Sequence, residues 1–102
     1  MVKKVKGGKL PPVHPGEVLR EEYLRPMNLT PYRLAKAIGV PCTRIERLAA
    51  EKTPVTADTA LRLARYFGTS AGLWMNMQAR YDLEMAEDEM AATLRKIRPR
   101  AA

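Results

Sequence analysis

The stretch TPYRLAKAIGVPCTRIERLA (residues 30–49) decides how the whole chain is to be read. Thr30 before Pro31 is a helix start: the hydroxyl can accept from the free N–H groups of the first turn, and proline suits the first helical position. Leu34, Ala35 and Ile38 fall on one face, and Gly39 is the expected C-cap glycine. Only Val40 and Pro41 separate that cap from a further short helix, about residues 42–50, with Ile45, Leu48 and Ala49 as its inner stripe. Two short helices joined by a glycine-bearing turn form the helix-turn-helix pattern. Its constraints are met in this one window: Ala35 is small where the helices touch, Gly39 can take positive φ, and Ile45 and Leu48 anchor the second helix.

A helix placed in this way presents its N-terminal, outward residues to the major groove. Here those are Cys42, Thr43, Arg44 and Arg47. Arginine can grip guanine O6 and N7 with two hydrogen bonds, and threonine offers a hydroxyl and a methyl. Glu46 is expected to orient a neighbouring arginine. Phosphate positioning falls to Tyr32, Arg33, Lys36, Lys52 and the N–H groups around Thr30. Cys42 beside two arginines at a helix start also raises the alternative of a thiol with lowered pKa, and so a redox switch.

Outward from this window, the coarse pattern is helical throughout, and 102 residues suffice for one all-α domain. Before it, GEVLREEYLRPM (residues 16–27) places Leu19 and Tyr23 on one helix face, ended by Pro26. After it, Thr56 caps a fourth helix, ADTALRLARYF, with Ala60, Leu61, Ala64 and Phe67 expected inward. Gly68 closes that helix, and Ser70 caps a fifth with Leu73, Trp74, Met77 and Tyr81 inward. The chain divides into a basic arm (residues 1–15), mobile or extended, the helical domain (16–83) and a helical extension with a basic tail (84–102). In that tail, acids crowd residues 82–89, bases crowd residues 95–100, and Leu83, Met90, Leu94 and Ile97 form a stripe fit for a partner helix.

Net charge is +7 at pH 7, and residues 1–55 hold 11 Lys/Arg against 5 Asp/Glu. An anionic partner follows, and nucleic acid suits the helix-turn-helix. One such helix reads few base pairs, so a homodimer is implied, with Trp74, Met77, Tyr81 and Leu83 as interface candidates. The alternative for Trp74 is the core. Catalysis is not expected: His14, Cys42 and Ser70 are the chain's single His, Cys and Ser, on three different elements. One His and one Cys cannot build a four-ligand metal site, and no motif calls for a cofactor. Lone cysteine, no apolar leader and no run of about 18 apolar residues lead to the expectation of a cytoplasmic protein with no membrane segment.

The segments HPGEVLREEYLRPMNLTPYRLAKAIGVP and TPVTADTALRLARYFGTSAGLWMNMQARYDL resemble the HigA antitoxins, also called virulence-associated protein I-like regulators, of the Xre-type, phage-repressor-like helix-turn-helix class. The resemblance covers residues 13–83. It implies a five-helix DNA-binding domain that dimerises, represses its own operon and neutralises HigB, a RelE-like messenger RNA endonuclease; the alternative is a stand-alone regulator with no toxin. It places base reading on Cys42, Thr43, Arg44 and Arg47, and phosphate contacts near Thr30, Tyr32, Lys36 and Lys52. One departure stands out. The family usually turns on an Asn-Gly-Lys-like sequence after the recognition helix, whereas this chain has Ala50-Glu51-Lys52, so that helix is expected to end a turn later.

Overall fold

In a computed structural model describing residues 10–101, five helices follow one another. They are α1 (Pro15–Val18, widening without a break into a π-helical segment, Leu19–Leu24), α2 (Pro31–Ile38), α3 (Cys42–Ala49), α4 (Ala57–Phe67) and α5 (Ala71–Arg95). No strand occurs among the described residues.

Most boundaries come from local chemistry. The hydroxyls of Thr30, Thr56 and Ser70 accept from the backbone N–H groups of Arg33, Thr59 and Leu73. Gly39 and Gly68 close α2 and α4 in the left-handed region, at φ +75° and +71°. The start of α1 has a more particular design. His14 Nδ1 accepts from Gly16 N–H at 2.9 Å, and Pro15 takes the first helical position. Gly16 lets α1 reach α3, because a Cβ there would lie 1.8 Å from the Leu48 carbonyl oxygen. The segment before α1 therefore belongs to the domain. His14 and Pro15 are buried, Pro11 and Pro12 half-buried, and the His14 ring packs edge-on against Tyr81. This corrects the expectation of a mobile arm as far as residue 15; its lysine-bearing part, residues 1–9, lies outside the described residues.

Leu19, Leu34, Ile45, Leu48, Leu63 and Trp74 fill the core. The π-helical widening puts Leu19 and Leu24, five residues apart, both inside, with Arg25 N–H bonding to the Arg20 carbonyl at 3.0 Å. Two inward assignments change. Leu61 is 63% exposed and Leu73 40%, while Leu63 and Gln78 are buried. In each helix the buried arc is turned away from the expected stripe by less than one residue's step of about 100°, so that Ala60, Ala64 and Trp74 stay inside it. In α4, Thr59, Ala60, Leu63 and Ala64 form the buried arc, and Leu61 lies just beyond it. In α5, Gln78 is drawn in because its carbonyl oxygen accepts from Val55 N–H at 2.8 Å, fixing the loop between α3 and α4. Trp74 is fully buried with its indole N–H donating to Thr69 Oγ1, and it packs on Tyr23.

Past Tyr81, α5 runs on unbroken to Arg95, and its side chains leave the core. Among the described residues no helix is long and apolar enough to cross a membrane.

Replacing Gly16 by alanine is expected to lower stability by about 2 kcal/mol or more, although alanine normally favours a helix. Thermal or urea unfolding checks this. An unchanged or raised midpoint would mean that α1 does not approach Leu48 so closely.

Candidate nucleic-acid interface

Three buried residues (Ile45, Leu48 and Ala49) seat α3 on the core and fix which face it turns outward. Thr43, Arg44 and Arg47 are exposed on that face, whereas Cys42 is half-buried against the core. Thr43, Arg44 and Arg47 line one recess together with Thr53, Pro54, Thr56 and Asp58. The sequence marks Thr56 only as a helix cap and does not single out Thr53 or Asp58. The other cations stand outside that recess. On α2, Tyr32 is 61% exposed and Arg33 and Lys36 are exposed. Thr30 Oγ1 is already an acceptor for Arg33 N–H, and Lys52 is exposed in the turn after α3.

The two arginines of α3 differ. Among the described residues Arg47 forms no ion pair. Arg44 donates from Nη1 to Asp58 Oδ2 at 2.6 Å, and the same oxygen accepts from Arg62 Nε at 3.0 Å. Arg44, then Arg62, hold the Asp58 carboxyl below its ordinary range. Both members of the Arg44–Asp58 pair are about half exposed. Such pairs contribute little to stability, typically less than about 1 kcal/mol, so this contact acts mainly on where Arg44 points. Glu46 does not orient an arginine as expected. Its charge acts on the Cys42 thiol instead.

The redox alternative for Cys42 loses its chemical basis. Partial burial, then the charge and hydrogen bonding of Glu46, push the thiol above its ordinary pKa rather than below it. A raised thiol pKa means less thiolate at neutral pH, and the thiolate is the reactive form.

The end of α3 also departs from expectation. The helix stops at Ala49 rather than a turn later, with Glu51 in the left-handed region at φ +63°. A non-glycine residue there is strained, and a second element offsets the strain. Arg20, from the π-helical part of α1, donates to the Ala49 carbonyl and at 3.1 Å to the Glu51 carboxylate. Neither Arg20 nor Arg62 had been picked out as part of the site.

Of the four interface candidates, Trp74 has no exposed surface and belongs to the core. Met77 is half-buried against that core and Tyr81 half-buried against His14. Leu83 keeps an open surface, as do Met90 and Leu94 along α5 and Ile97 just past its end. Among the described residues no cluster of His, Cys, Asp and Glu is placed to hold a metal ion.

A short helix locked behind a glycine turn, with cations on its outer face, defines a DNA-binding helix-turn-helix domain. Residues 19–74 match the family model described as Helix-turn-helix. The chain is 56% identical over 81 residues to virulence-associated protein I of Dichelobacter nodosus, which covers 79% of this chain and 75% of that one. It is 38% identical over 72 residues to antitoxin HigA-1 of Vibrio cholerae, 71% of this chain and 68% of the relative. The structure of Pseudomonas aeruginosa antitoxin HigA with the higBA promoter superimposes with a TM-score of 0.85 at 38% identity, covering 88% of this chain and 99% of that one. The chain thus belongs to the Xre-type helix-turn-helix family, in its virulence-associated protein I and HigA antitoxin group.

Alkylation of Cys42 by iodoacetamide at pH 7 is expected to be slower than that of free cysteine in the same buffer. A faster reaction would show a stabilised thiolate and contradict the direction given for its pKa.

Proposed function

We propose that this protein is a DNA-binding antitoxin that represses its own operon as a dimer and neutralises a RelE-like messenger RNA endonuclease. The observation that carries the DNA-binding part is the outer face of α3, where Thr43, Arg44 and Arg47 stand exposed on a helix whose C-terminal end Arg20 holds. Cations held on rigid backbone can address base edges, whereas cations on mobile loops serve phosphates. Arg44 and Arg47 grip guanine and Thr43 adds its hydroxyl or methyl. Cys42 is a small neutral neighbour able to pack on a thymine methyl from its half-buried place. Tyr32, Arg33, Lys36, Lys52 and the N-terminus of α2 at Thr30 hold the flanking phosphates.

Dimerisation follows from the small footprint of one recognition helix, since two copies one DNA turn apart read a longer site. The exposed stripe from Leu83 to Ile97 is the part of the expected interface that is still open to a second copy. Support for the antitoxin part comes from the two HigA relatives, one of which was solved with promoter DNA. The toxin would be a HigB-like protein, met in the cytoplasm where both the operator and translating ribosomes are found.

The test compares the DNA upstream of this protein's gene with a scrambled duplex of equal length at fixed salt. The wild type is expected to prefer the upstream DNA, and Arg44→Ala with Arg47→Ala to remove that preference, a change of about 30-fold or more from two lost bidentate contacts. Co-purification with a toxin encoded beside the gene should survive the double substitution. A preference that persists without both arginines would overturn the assignment of base reading to α3. Absence of any co-purifying toxin would leave a stand-alone regulator.

A further inference from the structure

The recess beside α3 contains an acid where a DNA-reading surface would be expected to carry none. Asp58 sits in the first turn of α4, and an acid there has an ordinary explanation in the helix dipole. That explanation does not account for its partners. Its Oδ2 receives Arg44 Nη1 at 2.6 Å and Arg62 Nε at 3.0 Å. Arg62 in turn donates from Nη1 to the Ile38 carbonyl at 2.7 Å and to the Gly39 carbonyl at 3.3 Å. Asp58 is thereby tied through Arg62 to the turn between α2 and α3, and it holds the one α3 arginine that has an anionic partner.

We propose that Asp58 is the positioning residue that makes Arg44 selective for bases. A guanidinium has five N–H donors in a fixed fork. With Nη1 committed to Asp58, Arg44 keeps Nη2 and Nε, enough for the O6 and N7 of one guanine. A phosphate is a different matter. It carries full negative charge, and to reach Arg44 it must approach the Asp58 carboxylate as well, so like-charge repulsion penalises it. A guanine edge is neutral and bears no such penalty. Asp58 therefore leaves base contact open to Arg44 and discourages phosphate contact, which raises discrimination at the expense of overall affinity. The inference rests on the DNA-reading role of α3 given above.

The test is a cycle of Asp58→Asn, Arg44→Ala and the double variant, read by binding to the upstream DNA and to scrambled DNA over a range of salt. Asp58→Asn is expected to bind scrambled DNA several-fold more tightly and to lose about tenfold in preference for the upstream DNA. Its salt slope on scrambled DNA should steepen by about one, because Arg44 now neutralises a phosphate. With Arg44→Ala in place, Asp58→Asn should change that slope much less, since the α3 cation is gone and Arg62 stays engaged with the Ile38 and Gly39 carbonyls. Thermal unfolding separates the stabilising effect of an acid at a helix start, which alters the midpoint in both backgrounds and leaves the slope alone. A preference that does not fall in Asp58→Asn, or a slope that changes equally with and without Arg44, would overturn the proposal. If wild-type protein does not distinguish upstream from scrambled DNA, the failure belongs to the functional reading itself.

Discussion

The C-terminal end of α3 is the point on which the arrangement depends. An eight-residue helix is too short to be stable alone, and its last carbonyls have no partners within the helix. Here the last four are all satisfied. The Glu46, Arg47 and Leu48 carbonyls accept from the N–H groups of Ala50, Lys52 and Glu51, and the Ala49 carbonyl accepts from the Arg20 guanidinium. The path the chain takes to provide these bonds carries Glu51 through the left-handed region, and Arg20 holds it there by its carboxylate. Gly16 lets α1 lie directly against the Leu48 carbonyl, so the element carrying Arg20 cannot drift away.

The other end is secured from the opposite side. Arg62 of α4 covers the carbonyls of Ile38 and Gly39 at the turn, and it shares Asp58 with Arg44. Arg20 thus closes the C-terminal end of α3, and Arg62 covers the turn that precedes it. The C-terminal end of α3 and the turn before it are both tied to neighbouring helices in this way. The base-reading role proposed for Thr43, Arg44 and Arg47 needs such a seat, because a base contact displaced by an ångström is lost while a phosphate contact is merely bent.

What was readable in the sequence was what is decided within a few residues. Thr30, Pro31 and Gly39 bound α2 because capping hydroxyls, proline and left-handed glycine act on their own turn. The inner face of α3 followed from periodicity, and the same periodicity put Thr43, Arg44 and Arg47 outside. What was not readable depends on partners far along the chain. Arg20 reaches Glu51 across 31 residues and Arg62 reaches Ile38 across 24, and neither spacing leaves a mark in sequence. Without Arg20, an Ala-Glu-Lys turn gave reason to expect a longer helix; with it, Glu51 adopts the place of a glycine. The Leu61 and Leu73 assignments failed differently. Each lies about 100° around its helix from a buried neighbour, Ala60 or Trp74, and which of two adjacent apolar positions turns inward is settled by packing and by buried Gln78. Asp58 and Arg62 stand four apart on one helix, but neither their pairing nor its extension to Arg44 was read in the sequence.

On the proposed function, α3, held at its C-terminal end by Arg20, is the surface that meets DNA. Amide hydrogen exchange of the protein, free and bound to the DNA upstream of its gene, tests it most directly. Added protection is expected at residues 30–36 and 42–47, with the acid-rich stretch 82–89 of α5 unchanged unless a second copy covers it at equal concentration in both samples. Protection confined to α5, with residues 42–47 exchanging as fast as in the free protein, would contradict it.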